Sequence, residues 1–399
     1  MNRRIKISKN TKKFNSTVFL LAIMCKGFGD ALIVKSNPYS SFNMVKYIIL
    51  IFGIVIYAHE YSQMKEFGYK PVFVKEYYIL IKGIICLAVI SLFYSFCIHH
   101  FAFRSVKEFV FMTVPIVFAF LAINVLCAKQ ILNCAKISTV IYGISYILEK
   151  GSILFNFSLI LETIKNISFA GGNTASSQSS FESSYFADPV MALFCYFVYF
   201  KKNNIKWVWI TYAMIILMNK RVLILFSTII LIISYVPKLQ EILRKKCKKN
   251  IYIIMVIIFM ILPIAVQKLT DIRTEIFVQK ITGINMADFW MGRDVMVRAI
   301  TASGFKSYGL GSTFDFRGSL LEIESLKFLL EVGILGLFCI VYSYWKITKN
   351  NIYSMIVMTY IFVNINTSTS IMTGAFAWIY YLILFASIEY SYKLENNSC

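Results

Sequence analysis

Charge is scarce in this chain. Charged residues make up 15% of its 399 residues, against roughly 25% in a water-soluble protein, and 58% are hydrophobic. That excludes a soluble globular enzyme. No polar block is large enough for a separate soluble unit, so residues 1–399 read as a single integral membrane domain. The nine cysteines contain no CxxC pair, which argues against a Cys-ligated metal, and the topology below puts none of them in a long external loop, which argues against disulfides. Walker, HExxH and GxSxG signatures are missing. Histidine is reduced to His59, His99 and His100, all at loop edges, so catalysis by histidine is disfavoured. No fixed-period repeat is visible, nor two similar halves of the kind many transporters carry.

Acidic residues are also few, 20 against 41 Lys and Arg, for a formal charge of +21. In a soluble protein that excess would suggest nucleic acid as a partner. Here the basic residues sit in short connectors between apolar runs and cannot assemble one compact basic surface, so no nucleic-acid partner is expected.

What the chain has in abundance is apolar runs. A helix needs roughly 20 apolar residues to cross about 30 Å of hydrocarbon with its backbone satisfied internally. Runs near 16–34, 44–60, 76–98, 109–127, 130–148, 187–201, 206–219, 221–237, 250–267, 326–346, 351–367 and 372–391 predict an all-α polytopic membrane protein of about 12 transmembrane helices. The basic start, Arg3 to Lys13, precedes a run broken by Lys26 and Asp30 without a clean cleavage site, which predicts a retained first helix. With both termini cytoplasmic, the inside connectors carry Lys65, Lys70 and Lys75, then Lys129, then Lys201, Lys202 and Lys206, then Arg244, Lys245, Lys246, Lys248 and Lys249, then Lys346 and Lys349. That follows the positive-inside pattern. Two long external loops remain, about 149–186 and 268–325, and chemistry is expected there. Within the first, 171–184 (GGNTASSQSSFESS) reads equally as a lid or as a plain linker.

Several charges need explaining. Lys26 and Asp30 share a helix face four residues apart, which predicts an internal ion pair. Arg221 opens an apolar run after a very short external connector, where it either snorkels to the interface or faces a polar cavity. Arg293 and Arg298 flank a short helical pattern in the second loop. Arginine suits pyrophosphate, because its planar fork keeps its charge and offers paired donors; pairing with Asp288, Asp294 or lipid headgroups is the alternative role.

Taken in order, Ala187-Asp188-Pro189, Asn219-Lys220-Arg221, Gly292-Arg293, Gly309-Leu310-Gly311 and the ExGxxG run from Glu331 to Gly336 resemble the O-antigen polymerase and ligase superfamily of membrane glycosyltransferases. The resemblance covers roughly residues 180–345. The ligases' His-Asn pair before the ExGxxG helix has no counterpart, since Glu322 and Glu324-Ser325 occupy that stretch, and this favours a polymerase. Spacings of RX10G type, Arg293 to Gly304 and Arg298 to Gly309, give mild support.

The resemblance implies a metal-independent enzyme without cofactor, in the bacterial cytoplasmic (inner) membrane, that joins undecaprenyl-pyrophosphate-linked oligosaccharide repeat units into O-antigen or a related surface polysaccharide. Arg221, Arg293 and Arg298 would bind pyrophosphate and sugar. Glu324 or Glu322 would be the catalytic base on the acceptor hydroxyl. Membrane lipids, a chain-length regulator and a flippase of the same pathway are the implied partners. An O-antigen ligase, or a lipid-linked oligosaccharide flippase or transporter, is the alternative.

Overall fold

The computed structural model describes residues 9–33, 42–165, 181–183, 185–200, 204–283, 285–290, 292–349 and 351–367. They form α1 (Lys9–Ile33), α2 (Phe42–Glu66), α3 (Val74–Ile98), α4 (Phe103–Val125), α5 (Ala128–Lys150), a 3-10 turn (Gly151–Phe155) and α6 (Phe157–Lys165). After them come α7 (Ala187–Tyr199), α8 (Ile205–Leu217), α9 (Arg221–Tyr235), α10 (Pro237–Leu243), α11 (Lys249–Leu269), α12 (Ile272–Thr282), α13 (Met286–Trp290), α14 (Arg293–Ala302), α15 (Ser312–Arg317), α16 (Glu324–Thr348) and α17 (Ile352–Thr367). No strand occurs among the described residues.

Each apolar run up to 351–367 coincides with a helix; the run at 372–391 lies outside the described residues. Six helices among the described residues are long and apolar enough to cross a membrane. The shorter apolar helices α7, α8 and α9 have 13, 13 and 15 residues, which at about 1.5 Å per residue is less than a full bilayer core. For α7 the reason is packing: Ala187 to Val198 are all buried, so the helix is wrapped by protein and need not match the lipid. α2 outlasts its apolar run because nothing stops it before Gly68. There, φ is +83° and bonds from Tyr69 N to Met64 O and from Gly68 N to Lys65 O, each 3.0 Å, close a Schellman end.

α3 shows the inverted amphipathicity that a lipid surround demands. Its buried positions include Gly83, Ser91 and Ser95, whereas Ile85, Val89, Leu92, Phe93 and Phe96 are exposed. Lipid tails are as apolar as those side chains, so association rests on close packing and small residues rather than on hiding the bulky ones. A Cβ on Gly83 would lie 2.1 Å from Ser343 Oγ, which shows how closely α3 and α16 approach. α16 packs on α3, α11 and α17, and α1 on α2 and α5. The expected Lys26 to Asp30 pair is present at 2.5 Å, and Lys46 of α2 adds a second contact to Asp30 at 2.6 Å.

The connectors predicted to share the inside face do meet: Cys247 N donates to Lys349 O and Ile352 N to Lys245 O, each at 3.1 Å. On the other side, the second long loop folds into α12 to α15 around a small core shared with α11 and α16, in which Met286, Trp290, Val297, Ile300, Leu321 and Ile323 are buried with Val266 and Leu326.

Candidate functional site: a cationic cluster at one end of the bundle

Three segments predicted to be external converge. The first is the strand of chain entering α7. Lys150 Nζ donates to the Glu182 carbonyl at 2.5 Å and Ser183 Oγ to Glu149 Oε2 at 2.8 Å. The buried Tyr146 hydroxyl lies 2.8 Å from the Phe181 carbonyl and 3.1 Å from that of Leu217. The end of α5 thereby fixes Glu182 beside the α8–α9 turn.

That turn supplies the second set. Asn219 has φ of +49°, is buried, and neither polar atom of its amide has a hydrogen-bond partner among the described residues. Lys220 reaches Asp188 of α7 at 3.4 Å. Asp188 also accepts from Tyr360 Oη at 2.8 Å and Asn364 Nδ2 at 2.7 Å, so α7, α9 and α17 are tied at one carboxylate. Arg221 follows as the first residue of α9.

The third set comes from the folded loop. Gly292, at φ of +83°, stands just ahead of α14 and lets the chain turn into a helix that begins with Arg293. Arg293 Nε donates to Glu322 Oε2 at 2.6 Å. Lys220, Arg293, Arg221 and Lys150 all act electrostatically on Glu182, and Arg221 and Arg293 act on each other. Burial pushes the Glu182 carboxyl above its ordinary value, and the four cations pull it back only in part. Two arginines 72 positions apart in sequence therefore address one place.

The remaining candidates are placed differently. Arg298 donates to Glu275 Oε2 at 2.8 Å and to the Thr270 carbonyl at 3.1 Å, and also bonds Asp294; it joins α14 to the start of α12 and is not among the cations acting on Glu182. Glu322 is half exposed beside Arg293. Glu324 is the first residue of α16 and is completely buried. Ile323 holds the capping position and no side chain caps the helix, while Ser325 donates to Asn366 Oδ1 at 2.7 Å.

The GxG and ExGxxG motifs serve a second, buried construction. The Glu331 carboxylate accepts from Gly311 N at 2.9 Å, Thr313 N at 3.0 Å and Thr313 Oγ1 at 2.5 Å. Lys327, fully buried, donates to Glu108 of α4 at 2.7 Å. Ser91 Oγ receives the Leu310 N–H at 2.9 Å, and the Ser95 and Ser105 hydroxyls donate to the Tyr308 and Leu310 carbonyls, each at 2.6 Å. A Cβ on Gly309 would meet Ser91 O at 2.7 Å, and one on Gly311 would meet Arg104 Cγ at 2.5 Å. Both glycines thus permit close approach, with φ of +112° and +89°.

Sequence reasoning missed Glu182, Lys220, Glu108 and Lys327. Charged residues bordering or interrupting apolar runs were the signal for the last two. Glu182 lay in a polar stretch that gave no sign of being pinned to α5. Among the described residues, no three His, Cys, Asp or Glu side chains come together as metal ligands would.

No family model, curated protein or solved structure matches this chain. Fold and composition define it as an all-helical protein of membrane-spanning character, with a basic cluster gathered at one end of its helices.

Proposed function

We propose that the chain is a membrane glycosyltransferase that polymerises undecaprenyl-pyrophosphate-linked oligosaccharide repeat units into O-antigen or a related polysaccharide, on the external face of a bacterial cytoplasmic membrane. The observation that carries this reading is the meeting of Arg221 and Arg293, with Lys220, around Glu182. A sugar pyrophosphate is already activated. The acceptor hydroxyl displaces it at the anomeric carbon, and the departing pyrophosphate gains negative charge that fixed cations stabilise as it develops. Guanidinium groups do this with paired donors, and placing them where helices meet the predicted external side suits a donor whose lipid stays in the bilayer.

Cells that lack their own copy of the protein and receive variants provide the test. Arg221→Ala and Arg293→Ala are expected to abolish long polymer at unchanged membrane levels, and Arg→Lys to restore it only in part, because the fork is lost. Long polymer from both Ala variants would remove pyrophosphate binding as their role. Transfer of sugar to lipid A core without chain growth would identify a ligase. Translocation with no new glycosidic bond would identify a flippase.

A further inference from the structure

The carboxylates near this cluster are not equivalent. Asp188 is buried under three donors. Glu149 is engaged by Ser183 and Lys150. Glu322 is held by Arg293 Nε, and Glu324 is sealed inside the protein at 0% exposure. Glu182 is partly exposed, its backbone carbonyl is held by Lys150, and its carboxylate, in the field of Lys220, Arg293, Arg221 and Lys150, takes no hydrogen bond from the described residues. A proton acceptor must be reachable by substrate, held in place, and not already saturated.

We infer that Glu182 is the base that takes the proton of the acceptor hydroxyl. This rests on the pyrophosphate reading above. In the step, the acceptor oxygen bonds to the anomeric carbon as the bond from that carbon to the pyrophosphate oxygen breaks. The electron pair leaves with the pyrophosphate, which Arg221, Arg293 and Lys220 hold. The hydroxyl proton passes to the Glu182 carboxylate and from there to water, so atoms and charge balance without a cofactor.

The alternative is that Glu182 is only a counter-ion for the cluster, and the two roles separate in the isosteric variant Glu182→Gln. Removing a negative charge from among cations strengthens the binding of an anion under either role, so affinity should not fall. Turnover is what differs. Purified full chain is titrated with farnesyl pyrophosphate as the binding probe, and polymer formation is followed in membranes supplied with lipid-linked repeat units. A base predicts farnesyl pyrophosphate bound at least as tightly as by wild type, with polymerisation slowed about 100-fold or more, and partial activity in Glu182→Asp. Polymerisation by Glu182→Gln at the wild-type rate overturns the inference and leaves the enzyme reading intact. Loss of farnesyl pyrophosphate binding in Glu182→Gln overturns it too, since a base does not hold the donor. Failure of the wild-type chain itself to bind the probe would instead remove the pyrophosphate site on which both readings stand.

Discussion

Glu331→Gln is a near-isosteric change whose cost can be worked from the hydrogen bonds. One Glu331 oxygen accepts from Gly311 N, the other from Thr313 N and Thr313 Oγ1. Glutamine keeps one oxygen. Its best orientation leaves that oxygen on the two Thr313 donors and turns an NH2 against the Gly311 N–H. One charge-assisted bond of about 1.5–3 kcal/mol is then lost and a buried backbone donor is stranded at a further cost of about 1–3 kcal/mol. The change also removes a nearby negative charge from the fully buried Lys327. A destabilisation of about 3–5 kcal/mol is expected, measured from unfolding of the reconstituted protein in a denaturing-detergent titration. Thr313→Val removes one of the three donors and should cost about 1 kcal/mol alone. Because it shares its partner with the first change, the double variant should be less destabilised than the two singles added together. A Glu331→Gln protein within about 1 kcal/mol of wild type would show that Glu331 does not hold the Gly309–Thr313 loop, and the account of both glycine motifs would fall with it.

Lys327→Met should destabilise by about 1.5–3 kcal/mol, because the buried Glu108 loses its charged hydrogen bond and keeps only Arg104, 3.3 Å away, as a cation, and adding Glu108→Leu should restore part of the loss; equal stability of single and double variants would contradict this. Gly309→Ala should lower the folded yield in membranes by the equivalent of about 1–3 kcal/mol of backbone strain plus the contact with Ser91; normal yield would mean the loop can move away from α3. Asn219→Gly should leave stability unchanged or raised, since it relieves a positive φ and deletes a buried amide that has no partner among the described residues, and a marked loss on unfolding assays would show that the amide has a structural partner. In a cysteine-free background, a cysteine at the exposed position of Lys306 should react with an impermeant external reagent and one at Lys246 should not; the reverse pattern would invert the proposed orientation.

Arg221 and Arg293 were legible as candidates because each breaks a local rule, one a charge at the head of an apolar run, the other a basic residue after a glycine in a loop. Their meeting was not legible, since it depends on how α9 and the folded loop come together. Arg298 shows the converse. It fits the same motif spacing, yet its side chain is consumed by Glu275, Asp294 and the Thr270 carbonyl. Glu322 and Glu324 stand two apart in sequence and end in opposite surroundings, one half exposed beside Arg293, the other sealed at the head of α16.

By itself the sequence determined the helical class and the location of the helices, because these follow from run length and hydropathy within a single segment. It also marked the Lys26 and Asp30 pair, which needs only the pitch of one helix. Tertiary structure decided everything that requires two segments at once. It alone set Asp188 between α9 and α17, closed Lys327 onto Glu108 and drew Glu182 into the field of Lys220, Arg221 and Arg293. The physical reason is that a charge in a low-dielectric surround takes its role from the groups brought within a few ångströms of it, and in this chain those groups come from positions far apart in sequence.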